Sequence, residues 1–290
     1  MTRPIPPPRL ALLFARRADV AVIFRRGPSK RVEVIRWDTT RDTFERGQWF
    51  HGRIYERRCD LSPDGALLVY FASKFNRFTT FDTDFTYAWT AVSRPPWLTA
   101  LALWPKGDCW HGGGLFVDSR RLVLNHRPEV AVPHPNHQPR GLKVTPDPAA
   151  SGEDDPLYSR RLDRDGWVVR QDWVIEQRGY PDFFHTTTPE VRVRPQPSRP
   201  NNLAVVMERR SDGLKYRETF SLEGSGAPVI LPGGVDWLDW DQSGRLVMLH
   251  NGSLSVADVA GRDVSPFREL VDFRADAPEE REAPASACIW

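Results

Sequence analysis

Short apolar runs separated by tight turns dominate this sequence, and they restrict the chain to a fold made of β-strands. No window of a dozen residues keeps apolar side chains at positions i, i+3, i+4 and i+7 without an interrupting glycine or proline. The 26 prolines and 20 glycines of the 290-residue chain instead indicate frequent reversals between short strands. We therefore predict an all-β protein.

Several of the turns are of the kind that joins antiparallel strands. The Ser-Pro-Asp-Gly sequence at residues 62–65 lies between two apolar runs. Proline presets φ for a turn and glycine tolerates positive φ, so this sequence predicts a hairpin. Comparable turns lie at residues 118–121, 163–166 and 241–244, and Asn251-Gly252 precedes an alternating strand at 253–259.

The turns recur at similar intervals along the chain. Asp19, Asp64, Asp118 and Asp165 mark spacings of 45, 54 and 47 residues, and Ser243 follows after a further 78. A period of about 40–50 residues with about four strands is typical of propeller blades, which stack because one blade cannot cover both of its faces. The sequence therefore predicts a β-propeller-like domain with about five blades of short antiparallel strands.

Three segments are similar to the WD-repeat class of β-propellers. Residues 31–38 end in Trp37-Asp38 and resemble the third strand of a blade with its Trp-Asp pair, while residues 238–261 contain the same element with Ala257 in place of tryptophan. Residues 61–69 resemble the turn seen in many propeller families. The Gly-His dipeptide that opens regular WD repeats is missing. The resemblance implies an atypical, degenerate WD-repeat-like propeller, and it implies a fold rather than an activity.

The domain boundaries follow from the distribution of these strands. Residues 1–9 are expected to be a flexible N-terminal tail, and residues 10–274 a single propeller-like domain with a long loop at 128–156. The acidic, proline-containing segment 275–290 is expected to be a flexible C-terminal tail. Propellers usually complete their last blade with a strand from the other chain end, so residues 10–15 are predicted to pair near residues 256–273.

The charge and the cysteine content indicate which classes of partner and which cellular compartment to expect. Forty Lys and Arg against 38 Asp and Glu give a net charge of +2, which is too even to predict a nucleic-acid or membrane partner. The basic residues are mostly arginine, which fits either GC-rich coding or bidentate recognition of carboxylate and phosphate. The three dispersed cysteines form neither a disulfide framework nor a zinc motif. Since no apolar run reaches membrane-span length, we expect a cytoplasmic protein. We expect it to be of bacterial type, and we predict no cofactor because the sequence has no Walker A run, no G-x-G-x-x-G and no EF-hand loop.

Two strings resemble catalytic or metal-binding motifs but lack the partners that such motifs need. The His-Gly-Gly-Gly sequence at 111–114 resembles the oxyanion-hole segment of esterases, yet the chain has no G-x-S-x-G nucleophile elbow. A loop between blades is the preferred interpretation. His126, His134 and His137 are close in sequence but lack metal-ligand spacing, so no metal site is predicted.

Three groups of carboxylates keep a hydrolase open as an alternative. They are Asp82 with Asp84, residues 153–155, and Asp236 with Asp239. A glycosidase uses two carboxylates whose separation decides the mechanism, and a sequence does not give that separation. We therefore assign no catalytic residue.

Tryptophans in predicted loops are the best candidates for binding. Most of the eleven tryptophans are expected between blades, but Trp97 follows two prolines and Trp110 precedes His111 and the glycines. We predict binding residues Trp97, Trp110 and His111 in a protein-interaction or scaffold module with a protein partner. The alternatives are a hydrolase with carboxylates in an axial funnel and a carbohydrate-binding module, with a small molecule or glycan as ligand.

Overall fold

The chain is built from small β-sheets. The computed structural model describes residues 6–27, 30–75, 86–155, 157–176, 185–197, 203–212 and 216–290. Strands make up 48% and helices 7% of the structure, and five sheets contain three to five strands each. The predicted fold class is confirmed, because the protein is all-β and propeller-like with five blade-sized sheets. The chain divides into unit 1 (Met1–Arg161 with Ala275–Trp290) and unit 2 (Leu162–Arg274).

Unit 1 contains three sheets. Its strands are β1 (Arg9–Phe14), β2 (Val20–Arg26), β3 (Arg31–Asp38), β4 (Thr43–His51), β5 (Arg53–Ile54), β6 (Asp60–Leu61), β7 (Leu68–Ser73), β8 (Ala88–Ser93), β9 (Ala102–Pro105), β10 (Gly114–Asp118), β11 (Arg121–Leu124) and β12 (Lys143–Pro146). Sheet A has the order β1-β2-β3-β4, and sheet B the order β5-β7-β8-β9 with β6 also beside β7. Sheet C has the order β10-β11-β12.

Unit 2 contains two larger sheets and two hairpins. A helix, α1 (Leu157–Arg164), contains the boundary between the units. The strands are β13 (Val168–Gln171), β14 (Val174–Glu176), β15 (His185–Thr188), β16 (Glu190–Pro195), β17 (Ala204–Ser211), β18 (Tyr216–Glu223), β19 (Val235–Trp240), β20 (Leu246–His250), β21 (Ser253–Ala257), β22 (Val259–Ala260), β23 (Asp263–Val264) and β24 (Arg268–Asp272). The larger sheets have the orders β13-β16-β17-β18 and β19-β20-β21-β24.

The core of unit 1 lies between consecutive sheets. Sheets A and B share one apolar cluster, to which Val22, Val34 and Tyr70 belong. Sheets B and C share a second cluster, which includes Trp104 and Phe116. All six residues of β7 are buried, because this strand is covered on both faces. Its continuous apolar sequence therefore reflects two buried faces rather than one.

Two predictions about the strands were wrong. Residues 10–15 do not pair near residues 256–273, because β1 pairs with β2 and the last sheet is completed by its own strand β24. The turn at 163–166 follows α1 rather than a strand. The helix buries Leu157 and Leu162 in only eight residues, so a search over a dozen residues missed it.

Two segments expected to be irregular contribute defined structure. The loop at 128–156 contains β12, which pairs parallel with β11 in sheet C. The C-terminal segment 275–290, expected to be a flexible tail, contacts sheet A. There Arg25 donates a 2.8 Å hydrogen bond to the carbonyl oxygen of Asp276, and Arg46 pairs with the Asp276 carboxylate. Sequence composition did not indicate these contacts, because they depend on arginines more than 200 residues away.

A buried carboxyl group lies where the C-terminal segment meets sheet A. Glu33 on β3 is only 2% exposed, and its carboxylate lies 3.5 Å from Nη1 of Arg46 and 3.9 Å from Nη1 of Arg281. Burial raises the pKa of Glu33 from 4.5 to about 7, although the neighbouring arginines oppose this shift. The folded protein therefore binds a proton at Glu33 at pH values where the unfolded chain has released it.

We predict that Glu33 makes the protein less stable as the pH rises from about 4.5 to about 7. In this window the folded state holds more protons than the unfolded state, so the free energy of unfolding falls by at most about 1.4 kcal/mol per pH unit. Glu33→Gln should flatten the slope, measured by urea unfolding at several pH values. Glu45→Gln, which removes an exposed carboxylate from β4, should keep the wild-type slope. Equal slopes in wild type and Glu33→Gln would contradict the prediction.

Candidate functional site

A basic pocket of about 330 Å³ opens at one end of sheet A. It lies where β1 and β3 begin and where β2 and β4 end, so four neighbouring chain segments contribute to it. Five of its lining residues are cationic. The lining residues are Arg9, Arg26, Gly27, Lys30, Arg31, Val32, Gly52 and Arg53. We call this feature the basic pocket.

The register of sheet A explains how Arg9 and Arg26 come together. Arg9 on β1 lies opposite Arg26 on β2, and Arg26 lies opposite Val32 on β3. Residues directly opposite each other in antiparallel strands place their side chains on the same face. Gly27, with a φ of +121°, donates its N–H to the carbonyl oxygen of Arg31 at 2.9 Å, which fixes the base of the turn.

Most of the pocket's positive charge has no acidic partner. Arg26 pairs with Glu56 at 2.6 Å, and the guanidinium of Arg53 lies 4.3 Å from the ring centroid of Tyr55. Within the part of the chain that the structure describes, no carboxylate pairs with the other cations or with Arg53. Like charges directly opposite in a sheet are destabilising, as at Arg9 and Arg26. A pocket with this charge is suited to an anion, because arginine binds carboxylate and phosphate through two parallel hydrogen bonds.

Phe75, Tyr87 and Trp110 all lie at the end of sheet B where β7 ends, β8 begins and β9 ends, and we call them the aromatic patch. Phe75 is 66% and Trp110 61% exposed, and the Phe75 and Tyr87 ring centroids are 4.6 Å apart. Tyr87 packs in the same apolar cluster as Cys109, the residue before Trp110.

Tyr55 connects the basic pocket with the aromatic patch. Its ring lies beneath the guanidinium of Arg53, which lines the pocket. Its hydroxyl donates a hydrogen bond to Sγ of Cys109 at 3.3 Å. Arg53 also lies opposite Ser73 at the end of β7, so it is at the same end of sheet B as the aromatic patch, and the two features are neighbours in unit 1.

The structure separates the three binding residues that the sequence predicts. Trp110 is exposed in the aromatic patch, and the adjacent His111 is half-buried with a φ of +57°. Trp97 is also half-buried, but it follows β8, whereas Trp110 follows β9. Because β8 and β9 are antiparallel, Trp97 belongs to the opposite end of sheet B. The three residues do not form one site, and their roles in binding stay predictions.

The glycine-rich segment after Trp110 is a tightly held connection between sheets B and C. The N–H of Gly112 donates to the carbonyl oxygen of Asn125 at 2.9 Å, and the N–H of Gly113 to Oγ1 of Thr90 at 2.8 Å. An oxyanion hole needs free donors, and these two are engaged. Oγ1 of Thr90 also lies 2.7 Å from Nε2 of His126, whose pKa burial lowers to about 4. His126 is therefore neutral and buried in this connection.

The other histidines and carboxylates of the sequence analysis also have structural partners. Nδ1 of His134 accepts the N–H of Asn136, and Nδ1 of His137 lies 2.9 Å from the carbonyl oxygen of Ala100. Among the described residues, no three His, Cys, Asp or Glu side chains are grouped so that they could hold a metal ion.

Two of the three carboxylate groups can be placed, and each contains a carboxylate that pairs with an arginine. Asp154 lies 2.9 Å from Nε of the buried Arg58, and Asp239 lies 3.4 Å from Nε of Arg194. Burial raises the pKa of Asp239 to about 6. Asp82 and Asp84 lie outside the described residues.

Sequence reasoning missed the basic pocket. Its cations are spread over residues 9–53, and they come together only through the register of sheet A and the position of β5. A weak signal was present, because Arg26, Lys30 and Arg53 all flank a glycine-containing turn at a strand end.

We predict that Gly113→Ala destabilises unit 1 more than Gly141→Ala does. Both glycines have positive φ, at +78° and +66°, so each substitution should cost about 1–2 kcal/mol from backbone strain. A Cβ atom at position 113 would lie 1.9 Å from the carbonyl oxygen of Arg58, whereas nothing lies within 4 Å at position 141. The clash should cost at least about 2 kcal/mol more. Urea unfolding measures the difference, and equal losses would contradict the geometry described for Gly113.

Comparison with known proteins leaves the site to be interpreted from its own chemistry. The chain matches no protein-family model, no curated protein and no solved structure. Within the described ranges, no helix has both the length and the apolar character that a membrane crossing requires. The function must therefore be argued from the basic pocket and the aromatic patch.

Proposed function

We propose that this chain is a protein-interaction module and that its partner docks on the basic pocket and the aromatic patch of unit 1. The observation that carries the proposal is the juxtaposition of two exposed aromatic side chains and four cations that pair with no carboxylate among the described residues. Aromatic residues and arginine are the side chains that contribute most binding energy at protein interfaces. A soluble chain that binds nothing on this surface gains little by exposing both.

The charge of the pocket supports an acidic segment as the docking partner. The whole chain is nearly balanced at +2, so the positive charge is local to one surface rather than general. Local complementarity of this kind selects a partner and its orientation. Two carboxylates of the candidate hydrolase groups, Asp154 and Asp239, pair with arginines.

The strand arrangement supports a WD-repeat-like affiliation as part of the proposal. The segment ending in Trp37-Asp38 forms β3, the third strand of sheet A, as the WD-repeat pattern requires. The segment containing Ala257 forms β21, the third strand of its own sheet. A cytoplasmic setting is also proposed, because Cys59, Cys109 and Cys288 are free thiols of the kind that reducing compartments maintain.

We predict that the double variant Phe75→Ser/Trp110→Ala loses the partner. The purified full-length chain would be used to capture proteins from the native host, and a stoichiometric partner should be recovered by wild type. Loss of two exposed aromatic contacts should weaken binding at least roughly tenfold. The control is Ile230→Ser, which removes an apolar side chain that is 91% exposed in unit 2 and should keep the partner.

Three outcomes would overturn the proposal. One is that wild type recovers no stoichiometric partner. Another is that the double variant retains the partner as well as Ile230→Ser does. The third is that an array of glycans binds wild type and fails to bind Trp110→Ala, which would favour a carbohydrate-binding module instead.

A further inference from the structure

We infer that the basic pocket binds the phosphate group of a phosphorylated side chain on the protein partner, an inference that rests on the proposed function. The proposal names the chemistry of one subsite within the docking surface. Three features of the molecule support it: the number of cations in the pocket, the size of the pocket and the charge of the rest of the chain.

The number of cations exceeds what one carboxylate would neutralise. After Arg26 has paired with Glu56, the pocket still presents Arg9, Lys30, Arg31 and Arg53. A phosphorylated side chain carries about −1.5 to −2 charges and three strong acceptor oxygens. An aspartate or glutamate offers one charge and two oxygens. The phosphate group is therefore the better match for a pocket lined by these four cations.

The size of the pocket accommodates a phosphorylated side chain. A volume of about 330 Å³ lies at the lower end of the range for small-ligand sites. The pocket also has glycine at its rim. A Cβ atom on Gly52 would lie 2.6 Å from the carbonyl oxygen of Ser73, so no side chain fits there and the rim stays low beside Arg53.

The distribution of charge favours a protein segment over a nucleic acid or a membrane. A nucleic acid is bound by a track of cations along its backbone, whereas these cations are grouped around one pocket. Beyond the pocket, many arginines pair with carboxylates, as Arg192 does with Glu190 and Arg245 with Asp241. The adjoining aromatic patch offers an apolar contact to residues that flank a phosphorylated side chain.

Because Arg9 lies opposite Arg26, a substitution of Arg9 distinguishes an effect on phosphate binding from an effect on stability. Neutralising Arg9 removes a like-charge contact across β1 and β2, so it should leave the free protein at least as stable as wild type. The same change removes a cation from the pocket and should weaken phosphate binding. A merely structural role for Arg9 would not give these two opposite effects.

The experiment measures the thermal midpoint of the full chain in inorganic phosphate and in chloride at equal ionic strength. Phosphate should raise the midpoint of wild type by mass action. Arg9→Gln and Arg31→Gln should each weaken phosphate binding roughly tenfold. Arg120→Gln, which removes an exposed arginine from the turn between β10 and β11, should bind phosphate as wild type does.

Further binding measurements identify the class of molecule that carries the phosphate group. A phosphoserine peptide should bind more tightly than its serine and glutamate counterparts, and more tightly than a single-stranded oligonucleotide or vesicles containing phosphatidylserine. The inference is overturned if wild type shows no phosphate shift, if Arg9→Gln and Arg31→Gln keep the wild-type shift, or if the oligonucleotide or vesicle binds best.

Phosphatase treatment of the captured partner distinguishes this inference from the proposed function. Release of the partner supports both. A partner that depends on Trp110 but survives phosphatase treatment leaves the interaction module in place and overturns the phosphate inference. A phosphate site without any captured partner overturns the proposed function, and with it the peptide source.

Discussion

The burial of one guanidinium group, that of Arg58, organises the part of unit 1 that carries the aromatic patch. Arg58 is 1% exposed, and burying a charge is costly unless it is paired and hydrogen-bonded. Its Nη1 donates to the carbonyl oxygens of Cys109 and His111, at 2.7 and 2.5 Å, and its Nε to Asp154. These bonds hold both sides of Trp110 in place. Because Arg58 must be satisfied, the loop that carries Trp110 has one defined course.

The same constraint applies to the other buried arginines and distinguishes them from those of the basic pocket. Arg209 in unit 2 is fully buried and pairs with Glu190 at 2.5 Å, and Glu190 also pairs with Arg192 at 2.8 Å. Such pairs show where the fold uses arginine for its own stability. Arg9 and Arg31 lie at strand ends with no carboxylate partner among the described residues. Their charge forms no ion pair within sheet A, which leaves it available to the ligand proposed above.

Local turn chemistry decided which parts of the fold were predictable from the sequence. The hairpins around residues 62–65, 118–121 and 241–244 were predicted correctly, because their turn chemistry acts within four residues. Gly65 and Gly244 have positive φ, and the carboxylate of Asp118 accepts the N–H of Arg120. The parallel strand β12 and the partner of β1 were not predictable, since both depend on segments that meet only after folding. The basic pocket was not predicted from the sequence for the same reason. The exposed Trp110 was identified because its neighbouring glycines already indicated a loop.

The position of the basic pocket also explains how sheet A can carry it without losing stability. The central residues of β2 and β3, such as Val22 and Val34, are fully buried and belong to the core shared with sheet B. The cations lie at the ends of these strands, where side chains from neighbouring segments converge and remain in contact with water. Repulsion between Arg9 and Arg26 therefore acts at a solvated edge, where it costs a fraction of what it would cost in the core. The buried interior of the sheet stabilises the fold, and the cations at its end therefore cost little stability.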